Sequence, residues 1–325
     1  MKNHSKIVLF LCAFFFMMDS QAQEFNKKNR YSSIGANINA MNYVGELDPA
    51  PSIISPAFRY TRPNIGLCYI YRYGPRLSFR GNVSYGRIQG SDARNANYAD
   101  RNIHRRIRNQ DFRNDIFEVK ADAIIDLFEH RGHYRRRVDY TPYVSIGVAY
   151  FYHNPQGTHP VTGEWLNLRP LSTEGQGLPG SDRGMYSLHQ IAIPIGVGFR
   201  YKLSTNLDLA FEVGFRFTFT DYLDDVSGQY FDRNIIEQYR GENAALMADK
   251  SIFSLVDDPQ MQQFVDERQG GTWTETTDQG NEYSSVNGFG RRGDKRGDPN
   301  RDLYIVTGFH LTYIIPGRVI CPKFR

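Results

Sequence analysis

Three carboxylates, Asp221, Asp224 and Asp225, stand within one short stretch. Acids grouped in this way serve acid–base or hydrolytic chemistry when a histidine or serine stands beside them. The candidate histidines, His153, His159 and His189, carry no motif around them. The acids are therefore expected to pair with loop arginines. The chain also lacks a metal-spaced His/Cys cluster, a phosphate loop or a nucleophile elbow. No enzyme activity, catalytic residue, cofactor or metal is expected.

Two basic clusters bear on binding instead. The first comprises Arg94, Arg101, His104, Arg105, Arg106, Arg108 and Arg113. Either Arg101, Arg105, Arg106 and Arg108 grip lipid phosphates through charge-assisted hydrogen bonds, or the loop is solvated and countered by its own Asp92, Asp100 and Asp111. The second lies between Glu129 and Asp139 and holds Arg131, His133, Arg135, Arg136 and Arg137. It reads as an exposed positive knob for a periplasmic protein partner, or as a solvated turn. Peptidoglycan is a weaker candidate, since no folded domain is there to bind it.

The elements that hold these clusters are strands. Between Ser187 and Tyr222 two alternating runs meet at Ser204-Thr205-Asn206 and form a hairpin. In the second arm Leu207, Leu209, Phe211, Val213, Phe215, Phe217 and Phe219 share one face, and Asp208, Ala210, Glu212, Gly214, Arg216, Thr218 and Thr220 share the other. Lipid suits the first face and a polar lumen the second. Eight such runs are present: Tyr31 to Val44, Asn64 to Tyr73, Arg76 to Ile88, Asp115 to Phe128, Thr141 to Tyr152, Leu188 to Leu203, Leu207 to Tyr222 and Leu303 to Ile315. Each reaches the ~9–11 residues a tilted strand needs to cross a bilayer.

The expected fold is therefore all-β, an eight-stranded antiparallel up-and-down transmembrane barrel in the outer membrane. Its connections alternate in length. Short turns fall at Gly74-Pro75, Glu129 to Asp139 and Ser204 to Asn206, and long loops at 45–62, 89–114, 153–187 and 223–302. That sorting puts both termini and the short turns in the periplasm and the long loops outside. The fourth loop, about eighty residues, is too long to be structureless. Short helices are expected over Arg233 to Asp249 and Pro259 to Arg268, and a mobile stretch over Gly270 to Arg301.

Facing inward, Arg72, Arg80, Lys120, Arg200 and Arg216 oppose Glu118, Asp122, Asp126, Asp208 and Glu212. In a barrel of this width a balanced set reads as a plug of ion pairs. Pro194 should leave a bulge or a local defect in the sixth run. Gly308, Leu311 and Tyr313 in the last run have the glycine-then-apolar spacing of a terminal barrel strand.

The bulk composition agrees. Lys2 and Lys6, an apolar run from Ile7 to Met18 and Ser20-Gln21-Ala22 form a secretory leader over 1–22, leaving a single barrel domain over 23–325. Past the leader no run of ~18 apolar residues occurs, and mean hydropathy is −0.52, which excludes a helical membrane protein. Losing Lys2, Lys6 and Asp19 takes the formal charge from +4 to +3, too mild to imply nucleic acid. Cys68 and Cys321 outlast the leader, one in mid-strand and one in the tail, so a disulfide is not expected.

Several stretches resemble the PorG-like outer-membrane barrels of the type IX secretion system of Bacteroidetes. They are Ser33 to Leu47, Thr141 to Val144, Trp165 with Leu168, Pro170 and Leu171, Thr173 to Gly177, Ala192 to Gly196 and Thr220 to Gly228. Thr173-Glu-Gly-Gln-Gly177 and Thr220-Asp-Tyr-Leu-Asp-Asp-Val-Ser-Gly228 are the most specific, because alternation does not dictate them. The resemblance implies a non-enzymatic barrel that anchors the periplasmic ring of that machine, made of a lipoprotein and its partner, and that supports gliding in gliding species. The arginines of the second loop and the late fourth loop fall outside the pattern. The alternative is a small-solute channel, or a structural barrel unrelated to secretion.

Overall fold

A strand that is apolar on one face and polar on the other satisfies lipid and its own backbone only if the sheet closes on itself. In the computed structural model, which describes residues 25, 27–47, 60–95, 103–256 and 258–316 apart from the side chains of 28, 94 and 95, it does close. The described residues form β1 (Tyr31–Val44), β2 (Arg62–Arg72), β3 (Leu77–Ser91), β4 (Asp111–Asp126), β5 (Tyr140–Thr158), β6 (Trp165–Asn167), β7 (His189–Lys202), β8 (Leu207–Thr218), β9 (Thr272–Thr276), β10 (Glu282–Val286) and β11 (Leu303–Ile315). All but β6, β9 and β10 build the wall, each strand antiparallel to its neighbour. Pairing of β1 with β11, from Ser32 opposite Ile315 to Val44 opposite Leu303, seals the barrel.

The outer ends of β3, β4 and β5 run further than expected. Ser91 still pairs with Asp111 and Arg113 with Gln156, so polar rungs continue the ladder above the lipid. At Pro194 the expected defect is present without a bulge. Ile146 pairs with Ile195 and Ala149 with Ala192 in one register, and the two rungs between are missing.

Outside, Ile38, Leu67, Ile65, Val148, Ile191, Val197 and Phe309 are all more than half exposed, which in water would be a gross liability and in a bilayer is the solvated state. Aromatic rings bound this belt. Tyr73 packs edge-on to Phe79, Phe128 to Tyr140, and Tyr140 stacks on Phe199 near the short turns. Tyr85, Phe117, Tyr152 and Phe217 mark the other margin. From Tyr140 to Tyr152 a strand tilted by ~45° rises ~28 Å, the thickness of a hydrocarbon core.

Inside, the anticipated charges are packed. Arg80 on β3 forms a fork to Asp122 (Nε to Oδ1 3.1 Å, Nη2 to Oδ2 2.5 Å) and reaches across the lumen to Glu212 on β8 (Nη1 to Oε2 2.7 Å). Lys120 adds longer pairings to the same two acids, at 3.6 and 3.8 Å, and the Tyr143 hydroxyl donates to Glu212 at 2.8 Å. Nearer the outer mouth, Glu118 accepts from Arg216 at 3.2 Å and from the Tyr304 hydroxyl at 2.8 Å. Toward the periplasm Asp126 pairs with Arg72 and Arg200. A ladder of amides, Asn39 to Asn37 and Asn64 and Asn37 to Asn82, fills the flank.

Above this plug the lumen turns apolar. Met41, Tyr43, Leu47, Ile88, Phe112, Phe151, Leu223 and Tyr304 belong to one buried cluster. Loops two, three and four fold over it as a cap with cores of its own. Helix α1 (Asp92–Asn95) and helix α2 (Ile103–Arg108) belong to loop two, and α3 (Arg233–Arg240), α4 (Glu242–Ala248) and α5 (Pro259–Phe264) to loop four. Ile103 and Ile107 of α2 pack with Tyr230, Met261, Val286 and Phe289, and Ile236, Ala244 and Ala248 with Leu178 and Phe231. Gly241, at φ 85°, breaks the expected helix into α3 and α4.

The stretch Gly270 to Arg301 departs from the expectation of a mobile segment: β9 and β10 pair as a hairpin, Gln229 bridges Lys295, and the Trp273 indole donates to the Phe289 carbonyl at 3.2 Å. Its few apolar residues are scattered among Gly, Asp and Asn. Val286 and Phe289 find partners on loop two, in Ile103 and Ile107, and on the rest of loop four, in Tyr230, Met261 and Val265.

Cys68 is buried. The leader over 1–22, Arg101, Cys321 and the tail beyond Pro316 lie outside the described residues.

Candidate functional sites at the two ends of the barrel

At the periplasmic end the turn after β4 is a folded piece. A short 3₁₀ helix, Tyr134–Arg136, is capped by His133, whose Nδ1 accepts from the Arg135 amide at 3.3 Å. Tyr134 is buried against Tyr31, and His133 packs on Tyr134 at a tilt of 38° with centroids 4.3 Å apart. The Asn29 amide donates to the Arg131 carbonyl at 2.8 Å and His130 N to the Pro75 carbonyl at 2.9 Å, which tie the turn to the chain entering β1 and to the β2–β3 turn.

Arg137 is a correction to the exposed knob. It is buried, forks onto Asp208 (Nη2 to Oδ1 2.6 Å, Nε to Oδ1 2.9 Å) and donates to the carbonyls of Ser204 at 2.8 Å and Thr205 at 2.5 Å. A guanidinium that close to the open end of the lumen closes the barrel floor, because Asp208 there has a vacant carboxylate to satisfy. Arg131, His133, Arg135 and Arg136 stay exposed, with Arg131 paired to Glu129.

At the outer end Arg108 departs from the lipid-facing reading of the second loop and follows the alternative, countered by Asp92 of its own loop. Arg108 is buried in the cap, forked onto Asp92 (2.7 and 2.9 Å) and donating to the Arg296 carbonyl at 2.7 Å. Arg106 pairs with Asp258 at 2.9 Å. Arg105 is half-buried and lines a cavity of ≈ 280 Å³ with Lys295 and Arg296.

The two loop edges singled out in the sequence dock on one another. Thr173 donates to Asp225 at 2.5 Å, and Glu174 Oε1 accepts from Ser227 N at 2.9 Å, Gly228 N at 3.2 Å and Arg296 Nη1 at 3.1 Å. Gly175, at φ 77°, lies so close to the Phe231 ring that a Cβ would sit 2.3 Å from it. The carboxylates do not pair with arginines as expected. Asp225 takes the hydroxyls of Thr173 and Tyr186 (2.6 Å), Asp224 that of Tyr43 (2.8 Å) and Asp221 that of Ser227 (2.7 Å). Burial raises Asp225 to about 6 and both Asp221 and Asp224 to about 7.

The histidines stand on other partners. His153 meets Asn114 and the Ser187 carbonyl, His159 accepts from Val161 N and Thr162 N, and His189 meets Tyr150. Glu46, Tyr43, Asp302 and Arg296 were missed in the sequence. Each stands alone there and joins the cluster only when the barrel closes.

A closed, lipid-belted, eight-stranded meander with a packed lumen and a capped outer mouth is an integral outer-membrane β-barrel. The chain belongs to the family described as "Domain of unknown function (DUF6089)", whose model matches residues 6–162 and 178–250. Comparison with curated proteins returns no match. Among solved structures it is similar to Neisserial surface protein A (9% identity, 87% of this chain and 96% of that one, TM-score 0.35). It is also similar to OprG from Pseudomonas aeruginosa (8%, 89% and 98%, 0.35) and to a major outer-membrane protein from Thermus thermophilus (11%, 87% and 99%, 0.35). Its own lipid-facing belt is what places this chain in the membrane.

Proposed function

We propose that the barrel is a non-enzymatic anchor for the periplasmic ring of the type IX secretion machinery, and that it docks the ring lipoprotein and its partner through Arg131, His133, Arg135 and Arg136. The observation that carries this reading is the turn after β4. It is the largest basic cluster of the described periplasmic face, it is folded, and Arg137 pins it to the floor. A rigid array loses little entropy on binding. Each exposed ion pair contributes only ~0–1 kcal/mol, so the four side chains act together.

Changing Arg131, Arg135 and Arg136 to Ser, with Arg137 kept, is expected to leave barrel assembly intact while ring co-purification and cargo secretion fall. Changing Arg105 and Arg106 should do much less. Normal secretion by the turn variant, with loss in a chain lacking residues 316–325, would move docking to the tail.

The alternative of a small-solute channel is separated by conductance. With the floor closed by Arg137, ion pairs at mid-height and an apolar cluster above, planar-bilayer recordings should show no large stable conductance. A steady open level in the native protein would favour the channel.

A further inference from the structure

We propose that Glu46, Asp224 and Asp302 form a binding site for a hard divalent cation, calcium, at the outer mouth of the barrel. Each offers one carboxylate oxygen, and the three oxygens lie within 4.8 Å of one another. That span is about twice the ~2.4 Å of a calcium–oxygen contact. An all-oxygen donor set suits calcium or magnesium over softer metals. The three residues come from just past β1, from the start of loop four and from the residue before β11, so a cation there would tie the closing seam of the barrel to its cap.

The site is held in position from behind. Asp224 Oδ1 accepts from Val226 N at 3.0 Å and Asp302 Oδ2 from Leu223 N at 2.9 Å. Their other oxygens, Asp224 Oδ2 and Asp302 Oδ1, both approach the Tyr43 hydroxyl, at 2.8 and 2.7 Å. A phenol has one proton, so it serves one carboxylate at a time.

Glu46 supplies an independent sign that a ligand is called for. Its residue is only 8% exposed, Oε1 accepts from Asp298 N at 3.1 Å, and Oε2, sealed from solvent, has no hydrogen-bond partner. A buried carboxylate oxygen left so is costly unless something binds it. Gly45 lets the backbone come in close behind these groups: a Cβ there would stand 1.9 Å from the Tyr43 hydroxyl and 2.4 Å from Asp302 Oδ1.

Neighbouring cations are committed elsewhere. Arg108 forks onto Asp92 and meets Glu46 only at its backbone carbonyl, and Arg296 binds Glu174 and the Asp225 carbonyl. Asp221 adds a further acid nearby. Among the described residues no ion pair joins Glu46, Asp224 or Asp302 to a basic side chain. Burial, with the charges of Asp224 and Asp221, pushes Glu46 up to about 9, and burial with Asp224 and Glu46 raises Asp302 well above the carboxylate range.

The test uses the full-length protein refolded in detergent. Terbium should bind one-to-one with emission sensitised by Tyr43 and be displaced by calcium. Glu46→Gln, which retains the shape of the protonated acid, should fold and keep its cap in EDTA yet weaken terbium and calcium on the order of 10- to 100-fold.

At pH 8, cap resistance to protease should be higher with calcium than in EDTA, because a ligand that binds only the folded cap stabilises it. Terbium binding unchanged in Glu46→Gln, or no sensitised emission and no calcium effect at pH 8, would overturn the site and leave a proton-sharing cluster.

Discussion

Replacing Arg80 with alanine is expected to give the largest loss of stability of any single change in the lumen. Arg80 is 2% exposed and forks onto both Asp122 and Glu212. Without it two buried carboxylates keep only Lys120, at 3.6 and 3.8 Å, and the Tyr143 hydroxyl on Glu212. Removing one side of a buried ion network costs ~3–5 kcal/mol, far more than the network contributes relative to apolar packing. The unfolding midpoint in denaturant, read by heat-modifiable migration, should fall accordingly. Replacing the whole cluster, Arg80→Met and Lys120→Met with Asp122→Leu and Glu212→Gln, should recover most of the loss. An alanine variant as stable as the native barrel would show that the lumen is hydrated and its charges individually solvated.

Arg137→Ser should have the next largest effect, and it distinguishes a rivet from a docking residue. Asp208 would lose both hydrogen bonds from the guanidinium, and the carbonyls of Ser204 and Thr205 would lose theirs. The expected cost is ~3 kcal/mol, that of leaving a buried charge unpaired. Arg137→Lys should rescue little, since an ammonium cannot reproduce the fork. Asp208→Asn in the Arg137→Ser background should restore part. By contrast Arg135→Ser and Arg136→Ser, both exposed, should shift stability by no more than ~0.5 kcal/mol. Equal effects for all three would mean that the turn is not pinned through Arg137. The same comparison protects the docking test, since a variant that includes Arg137 confounds lost contact with a loosened floor.

What was legible in the sequence was whatever has period two. Alternation along Leu207 to Thr218 assigned Asp208, Glu212 and Arg216 to the lumen, and the same rule on the other strands assigned their ion-pair partners, because a strand's pleat decides the face of every residue without reference to the rest of the chain. The first and last strands, Tyr31–Val44 and Leu303–Ile315, were delimited by that rule alone.

The loops follow no such rule. Arg137 and Arg108 look like their exposed neighbours and differ only because closure of the wall sets Asp208 under one, and folding of the second loop sets Asp92 beside the other. Thr173 to Gly177 and Thr220 to Gly228 stood out in the sequence, but their docking on each other depends on the cap. Glu46 and Asp302, far apart in the chain, meet because β1 pairs with β11. Local pattern thus determined the barrel and its plug. Which charges are exposed, which are buried and which converge on one point was decided by ring closure, because only closure brings the two ends of the chain to the same mouth.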